Sequence, residues 1–85
     1  MKASNSWFVY ILCCQDNSLY TGITTDIERR LVEHNETNKG AKYTRARRPV
    51  SLVYSEIAKD RSAASKREAQ LKSLPLHKKR ALIQK

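Results

Sequence analysis

The sequence predicts an α/β protein of the α+β type, in which a three-stranded antiparallel sheet is flanked by helices in the order β-β-α-β-α-α. Three observations predict this class. Two strand-like runs flank a polar turn, two later segments carry helix caps and helical spacing, and a β-branched segment lies between them. With 85 residues, we expect one domain over residues 1–85 that carries at most one site.

The first two strands are predicted to form a β-hairpin. Every residue from Trp7 to Cys14 is apolar, and many are aromatic or β-branched, which predicts a central strand covered on both faces. The turn formers Asp16-Asn17-Ser18 follow, and residues 19–23 supply the second strand.

The middle of the chain predicts a helix and then a basic connector. The helix should run from about Asp26 to Thr37, because Thr24, Thr25 and Asp26 offer an N-cap and residues 38–40 stop it. Residues 39–49 have neither helical nor strand spacing, and we interpret them as a surface loop.

The second half of the chain predicts a third strand and two helices. The strand should cover residues 50–55, and three of its residues should share one face: Val50, Leu52 and Tyr54. Asp60 or Ser62 then caps a helix of about a dozen residues, and Pro75 ends it and begins a short last helix.

The charge of the chain predicts a polyanionic partner. Seventeen Lys and Arg against eight Asp and Glu give a net charge of +9. Nucleic acid is the first candidate, because clustered cations gain affinity by releasing its counterions, although acidic lipid or ribosomal RNA would also satisfy a basic surface. No segment approaches the roughly 18 apolar residues of a membrane span, and the polar start is unlike a secretory signal, so we expect a cytoplasmic protein without a membrane partner.

Helical phase distinguishes two adjacent arginines in the first helix. At about 100° per residue, Leu31 and His34 lie on one stripe with Arg30 at its edge, whereas Arg29 points nearly the opposite way. Spacing therefore nominates Arg30 and His34 as site residues. The alternative is structural: the arginine stem covers apolar surface, and the histidine is satisfied at the rim of the core.

A carboxylate lies in the apolar stripe of the second helix. Ala64, Glu68 and Leu71 share one helical face. Burying an unpaired charge is costly, so such a glutamate needs a cation, a metal or a hydrogen-bond network. A structural ion pair with Arg67 or another basic residue is the alternative.

Two further features suggest contacts with a ligand. Gly22 follows Tyr20 on the same side of its strand, which predicts an open space where a ligand could approach the tyrosine hydroxyl. In the connector, basic residues are interleaved with one aromatic residue, which suits phosphate contacts with one stacking surface; a solvated run of charge is the alternative. The predicted nucleic-acid contacts are Lys42, Tyr43, Arg45, Arg47 and Arg48.

Together these residues resemble the GIY-YIG endonuclease superfamily. Phe8-Val9-Tyr10 stands at the position of the first motif and Tyr20-Thr21-Gly22 at that of the second. Arg30, His34 and Glu68 follow in the order and spacing of the family's site residues. The chain is most similar to the small stand-alone bacterial members, the YhbQ-like proteins, and its basic connector also resembles that of nucleases that resolve branched DNA.

The resemblance implies metal-dependent hydrolysis of the phosphodiester bonds of DNA. Structure-specific cleavage and a role in DNA repair are among the expectations, with DNA rather than RNA as the expected substrate. Glu68 would hold a single Mg²⁺ or Mn²⁺, Tyr20 would deprotonate or orient the attacking water, and Arg30 would bind the scissile phosphate. Tyr10 and His34 would position water and phosphate.

The chain also departs from the family pattern. Phe8 replaces the first glycine of the name motif, and Ile23 stands where the excision-repair members have a lysine. We also expect no appended domain that would select the DNA. Two alternatives therefore stay open: a basic module that binds nucleic acid without cutting it, and a subunit that gains specificity from a protein partner.

The resemblance also requires Tyr10 and Tyr20 to lie on the same face of the sheet. A two-residue hairpin turn would place them on opposite faces, because strand side chains alternate. We therefore predict an odd-length loop or a β-bulge within residues 14–19.

Overall fold

The computed structural model describes residues 6–84 and places three strands and four helices among them. The strands are β1 (Trp7–Cys13), β2 (Leu19–Thr24) and β3 (Ser51–Ala58). The helices are α1 (Ile27–Glu36), α2 (Lys42–Arg45), α3 (Arg61–Lys72) and α4 (Leu76–Ile83). The predicted order is confirmed, and the short α2 is an addition within the connector that we had interpreted as loop.

The sheet has the antiparallel order β2-β1-β3, so the apolar β1 is central as predicted. In the hairpin Cys13 pairs with Leu19, which leaves residues 14–18 as a loop of odd length. Tyr10 consequently pairs with Gly22 and Leu12 with Tyr20. Because paired and alternate residues share a face, both tyrosines lie on the same side of the sheet, and the predicted odd-length loop is confirmed.

Each face of β1 contributes to its own core cluster. On one face Val9 and Ile11 pack against Ala64 and Leu71 of α3. The other face carries a second cluster of buried residues, with Tyr20 and Leu31 of α1 packed against it: Tyr10, Leu12, Cys14 and Val50. The helices α3 and α1 are thus attached to opposite faces of one strand, and Tyr10 lies on the α1 side.

The helix boundaries follow the predicted caps. Asp26 accepts a hydrogen bond from the Arg29 amide at the start of α1, and Asp60 accepts one from the Ala63 amide at the start of α3. These bonds satisfy backbone donors that a helix cannot pair internally.

The prediction for β3 is wrong in one respect. The register with β1 shifts between Ile11, which pairs with Tyr54, and its neighbour Leu12, which pairs with Leu52, so Val53 is an extra residue. An extra residue changes which side of the sheet the strand presents. Val50 therefore packs beside Tyr10 while Tyr54 packs against the Val9 cluster, and Val50, Leu52 and Tyr54 do not share one face.

Among the residues that the structure describes, no helix has the length and apolar character that crossing a membrane requires.

Candidate active site

The side chain of Tyr10 crosses over Gly22 of the neighbouring strand. Tyr10 is 2% exposed. A Cβ atom built at Gly22 would lie 2.5 Å from the Tyr10 hydroxyl oxygen and 2.7 Å from Cζ, closer than real Cβ contacts. The missing side chain at position 22 therefore makes room for the phenol. The predicted open space beside Tyr20 is not open, because Tyr10 fills it.

Tyr10 and His34 are the buried centre of the site. The Tyr10 hydroxyl lies 2.9 Å from Nε2 of His34, which is 0% exposed. On the opposite side of the imidazole, Nδ1 lies 2.8 Å from the Thr44 hydroxyl, and that hydroxyl donates to the Ala41 carbonyl at 2.9 Å. A continuous chain of hydrogen bonds thus runs from β1 through α1 to α2.

Burial keeps both members of this pair uncharged. It lowers the pKa of His34 to about 4, and the positive charge of Arg30 adds to the effect. Burial likewise raises the pKa of Tyr10 to about 12, although Arg30 opposes that shift. At neutral pH Tyr10 is a phenol and His34 a neutral imidazole, so neither is an effective base or a cation.

Tyr20 is more accessible to solvent than Tyr10. Its ring lies edge-on to His34 at 5.3 Å and stacks on the ring of Tyr43 at 6.0 Å. It is partly exposed, and nothing within residues 6–84 forms a hydrogen bond with its hydroxyl. Of Tyr10 and Tyr20, Tyr20 is therefore the one whose hydroxyl water or a substrate can reach.

The two adjacent arginines differ as helical phase predicted. The Arg30 side chain is 27% exposed and that of Arg29 is 65% exposed. Nη1 of Arg30 donates to Glu33 and to the Lys39 carbonyl, both at 2.9 Å, while Arg29 approaches Glu33 only to 3.9 Å. Glu33 thus orients the Arg30 guanidinium close to Tyr10.

Glu68 lies at the border of the α3 packing face. Its side chain is 23% exposed, and Oε2 lies 3.3 Å from Nζ of Lys72, so an ion pair exists but its partner is not Arg67. Arg67 instead donates to Glu56 at 2.8 Å. Glu68 is close enough to Tyr10 for its negative charge to contribute to the raised pKa of that phenol, after burial.

The connector supplies contacts to the site as well as charge. Arg47 donates to Asp16 at 3.1 Å and lies 4.0 Å over the Tyr43 ring, so that ring is engaged by Tyr20 and Arg47. Arg48 donates to the carbonyls of His34 and Thr37 at the end of α1. Lys42 and Arg45 of the predicted set are exposed at the surface.

Two residues of the site were missed from the sequence. Thr44 is 0% exposed although it lies within a basic, polar stretch. A Cβ atom at Gly40 would lie 2.7 Å from Cα of His34, so this glycine lets the connector pass against α1. The only available signal was that the chain has just two glycines; we interpreted Gly40 merely as a helix stop.

Comparison with known proteins identifies the family of the chain. A family model described as the GIY-YIG catalytic domain matches residues 6–80. This chain belongs to the GIY-YIG family. A relative named as a UPF0213 protein, from Desulfotalea psychrophila, is 60% identical over 78 residues, which cover 92% of this chain and 71% of that protein. A UPF0213 protein from Natronomonas pharaonis is 51% identical over 76 residues, covering 89% and 88% of the two chains.

Two solution NMR structures share the GIY-YIG fold of this chain. The UPF0213 protein BH0048 of Bacillus halodurans is 43% identical with a TM-score of 0.59, over 93% of this chain and 83% of that one. The protein EF2693 of E. faecalis is 45% identical with a TM-score of 0.62, over 96% and 88%. The match extends along nearly the whole chain, as expected for the small GIY-YIG type.

Proposed function

We propose that this GIY-YIG protein is a divalent-metal-dependent endonuclease that hydrolyses phosphodiester bonds of DNA, with Tyr10, Tyr20, Arg30, His34 and Glu68 as its site. The observation that carries the proposal is the difference between its two tyrosines. Tyr10 is buried and bound to His34, whereas the Tyr20 hydroxyl beside them has no hydrogen-bond partner within residues 6–84. A positioned, accessible hydroxyl is what activation of a water requires.

Tyr20 orients the attacking water or removes its proton. A phenol is a weak base at neutral pH unless positive charge stabilises its phenolate form. We propose that Arg30 supplies this positive charge. Its guanidinium donates to Glu33 and to the Lys39 carbonyl, both at 2.9 Å. With its remaining N–H groups it binds the scissile phosphate and offsets charge that develops in the transition state.

Tyr10 and His34 hold the geometry around Tyr20. Both are neutral and almost without solvent contact, so they keep their hydrogen bond when a charged phosphate enters. The edge-on contact of His34 with Tyr20 at 5.3 Å fixes the position of that ring.

Glu68 would hold the metal. Within residues 6–84, no three His, Cys, Asp or Glu side chains gather as a ligand set, so the protein would contribute fewer than three such ligands, and Glu68 is the proposed one. That suits Mg²⁺ or Mn²⁺, which keeps most of its waters and is otherwise bound by substrate phosphate. When bound, such an ion supplies positive charge at the phosphate. Lys72, now 3.3 Å from Glu68, must release the carboxylate.

The exposed cations of α2 are the proposed phosphate contacts outside the catalytic centre. Lys42 and Arg45 are free of the internal hydrogen bonds that occupy Arg47 and Arg48 among the described residues. Each should contribute one salt-sensitive contact to the DNA backbone.

The test is cleavage of supercoiled and branched DNA with Mg²⁺ or Mn²⁺, and again with a chelator. Cleavage should require the metal and should fall at least about a hundredfold in Glu68→Gln and Arg30→Ala. The matched control is Arg29→Ala, because this neighbouring arginine is 65% exposed; it should cleave like the parent. Metal-independent cleavage, or equal losses in Arg29→Ala and Arg30→Ala, would contradict the proposal.

A binding module without catalysis is the second candidate. The ion pair between Glu68 and Lys72 favours it, because a neutralised carboxylate is a weaker metal ligand. Salt-sensitive DNA binding without cleavage under any metal condition would support this second function.

A further inference from the structure

Thr44 is a buried hydroxyl inside an otherwise exposed, basic segment. Its neighbours Tyr43 and Arg45 are exposed, whereas Thr44 is 0% exposed. Its Oγ1 has two partners, the Ala41 carbonyl at 2.9 Å and Nδ1 of His34 at 2.8 Å. Both distances are those of good hydrogen bonds, so the hydroxyl is bound to both partners.

The chemistry of these partners assigns the direction of each bond. A carbonyl only accepts, so the single hydroxyl hydrogen of Thr44 goes to Ala41. Thr44 can then only accept from the imidazole, which requires a hydrogen on Nδ1 of His34. A neutral imidazole carries one N–H, so Nε2 is left as an acceptor for the Tyr10 hydroxyl.

The surroundings of Tyr10 support the same direction. The nearby Arg30 guanidinium only donates, so it can meet the oxygen lone pairs of Tyr10 but not its hydrogen. Within residues 6–84, Nε2 is the acceptor available to that buried hydrogen, and leaving it unpaired would be costly. The Ala41 amide, which would favour the other tautomer, approaches Nδ1 only to 3.4 Å.

We propose that Thr44 is a positioning residue that fixes His34 as the Nδ1–H tautomer, so that the Tyr10 hydroxyl donates inward and presents only lone pairs to the site. The effect on catalysis rests on the proposed nuclease function: a Tyr10 oxygen that only accepts can receive a hydrogen bond from Arg30 and so orient the guanidinium that binds the phosphate. The tautomer itself does not depend on any activity.

Thr44 reaches His34 because the backbone at Gly40 lies close to the backbone of α1. Gly40 passes α1 so closely that a Cβ atom would lie 2.9 Å from the Glu33 carbonyl oxygen. The chain then enters α2, which presents Thr44 to His34 and the adjacent Tyr43 to Tyr20. The short helix α2 thus supports both His34 and Tyr20, whose rings are in contact with each other.

The test reads the imidazole directly. In long-range ¹H–¹⁵N NMR spectra of the ¹⁵N-histidine-labelled protein near pH 7, without metal or DNA, His34 should show a protonated Nδ1 and an unprotonated Nε2. Since the chain has two histidines, His77→Gln assigns the signals. Thr44→Val keeps the shape but lacks the hydroxyl, and it should move the population toward the Nε2–H form. Thr44→Ser should restore the parent pattern.

Activity gives the second measurement. Thr44→Val should lose about tenfold in cleavage rate, the effect of one hydrogen bond, and Thr44→Ser should recover it. An Nε2–H tautomer in the parent protein would overturn the proposal even if Thr44→Val does not fold, and so would an unchanged tautomer in a folded Thr44→Val. If the parent shows the Nδ1–H form but cuts no DNA, the assigned tautomer stands and the nuclease function fails.

Discussion

Tyr10 and His34 share a hydrogen bond of 2.9 Å in the interior of the protein, and each is contacted by one of the chain's two glycines. Gly22 lies against the Tyr10 phenol and Gly40 against the backbone of His34. The absence of a Cβ atom at these positions is therefore a requirement of the site and not of a turn. Neither glycine has a positive φ angle.

Gly22→Ala should destabilise the protein by about 1–3 kcal/mol, because the added methyl group must displace a buried tyrosine ring. The contact is 2.5 Å to the Tyr10 hydroxyl oxygen. The measurement is urea unfolding, with Ser51→Ala at an exposed strand position as the control. The control should change by no more than about 0.5 kcal/mol. Equal midpoints for Gly22→Ala and the parent would mean that Tyr10 does not cross over position 22.

Gly40→Ala should be more damaging than Gly22→Ala. The Cβ atom would meet backbone atoms of α1, at 2.7 Å from Cα of His34 and 2.9 Å from the Glu33 carbonyl oxygen, and backbone cannot rotate away. We expect a loss of about 3 kcal/mol or more. Urea unfolding of both variants measures which one loses more free energy of unfolding. A smaller loss in Gly40→Ala than in Gly22→Ala would contradict the close approach of the connector to α1.

Stability should fall with acid because His34 is buried as a neutral group. Its pKa is lowered from 6.5 to about 4, so between these values the unfolded chain binds the proton and the folded protein does not. Stability is therefore complete above pH 6.5 and decreases toward pH 4, by up to about 3 kcal/mol. Urea unfolding at several pH values measures the slope. His34→Gln should remove it above about pH 5, and a slope that persists in this variant would assign the effect to other groups.

Substitutions of Arg48 and Arg45 should have different effects, one on the stability of the protein and the other on its binding of DNA. Arg48 donates to carbonyls at the end of α1, so Arg48→Ala should cost about 1–2 kcal/mol of stability. Arg45 is exposed, and Arg45→Ala should leave the unfolding midpoint unchanged while lowering the salt slope of DNA binding by about one contact. Calorimetry and salt titrations measure the two effects. A reversed pattern would mean that Arg48 contacts DNA and Arg45 does not.

The sequence predicted the elements well because their signals are local. The caps at Asp26 and Asp60, the apolar β1 and the phase of Arg30 depend on neighbouring residues. The shared face of Tyr10 and Tyr20 was predicted because alternation allows only two outcomes and the resemblance to the GIY-YIG family requires one of them.

Three of the failures depended on contacts between residues far apart in the sequence. The extra residue Val53 is skipped in the pairing of β3 with β1 and so reverses the strand face, and nothing near it in the sequence indicates this shift of register. Thr44 is buried because Gly40 brings the connector against α1, which no periodicity encodes. The space beside Gly22 was predicted to hold a ligand because the Tyr10 side chain that fills it comes from another strand.

The central claim is that the Tyr20 hydroxyl activates the attacking water. The most direct measurement is the single-turnover cleavage rate of Tyr20→Phe at saturating DNA with Mg²⁺ or Mn²⁺, beside its DNA affinity and its unfolding midpoint. Removing one oxygen that has no partner within the described residues should leave affinity and stability unchanged. Cleavage should slow by at least about a hundredfold. Cleavage at the parent rate by a folded, DNA-bound Tyr20→Phe would contradict the claim.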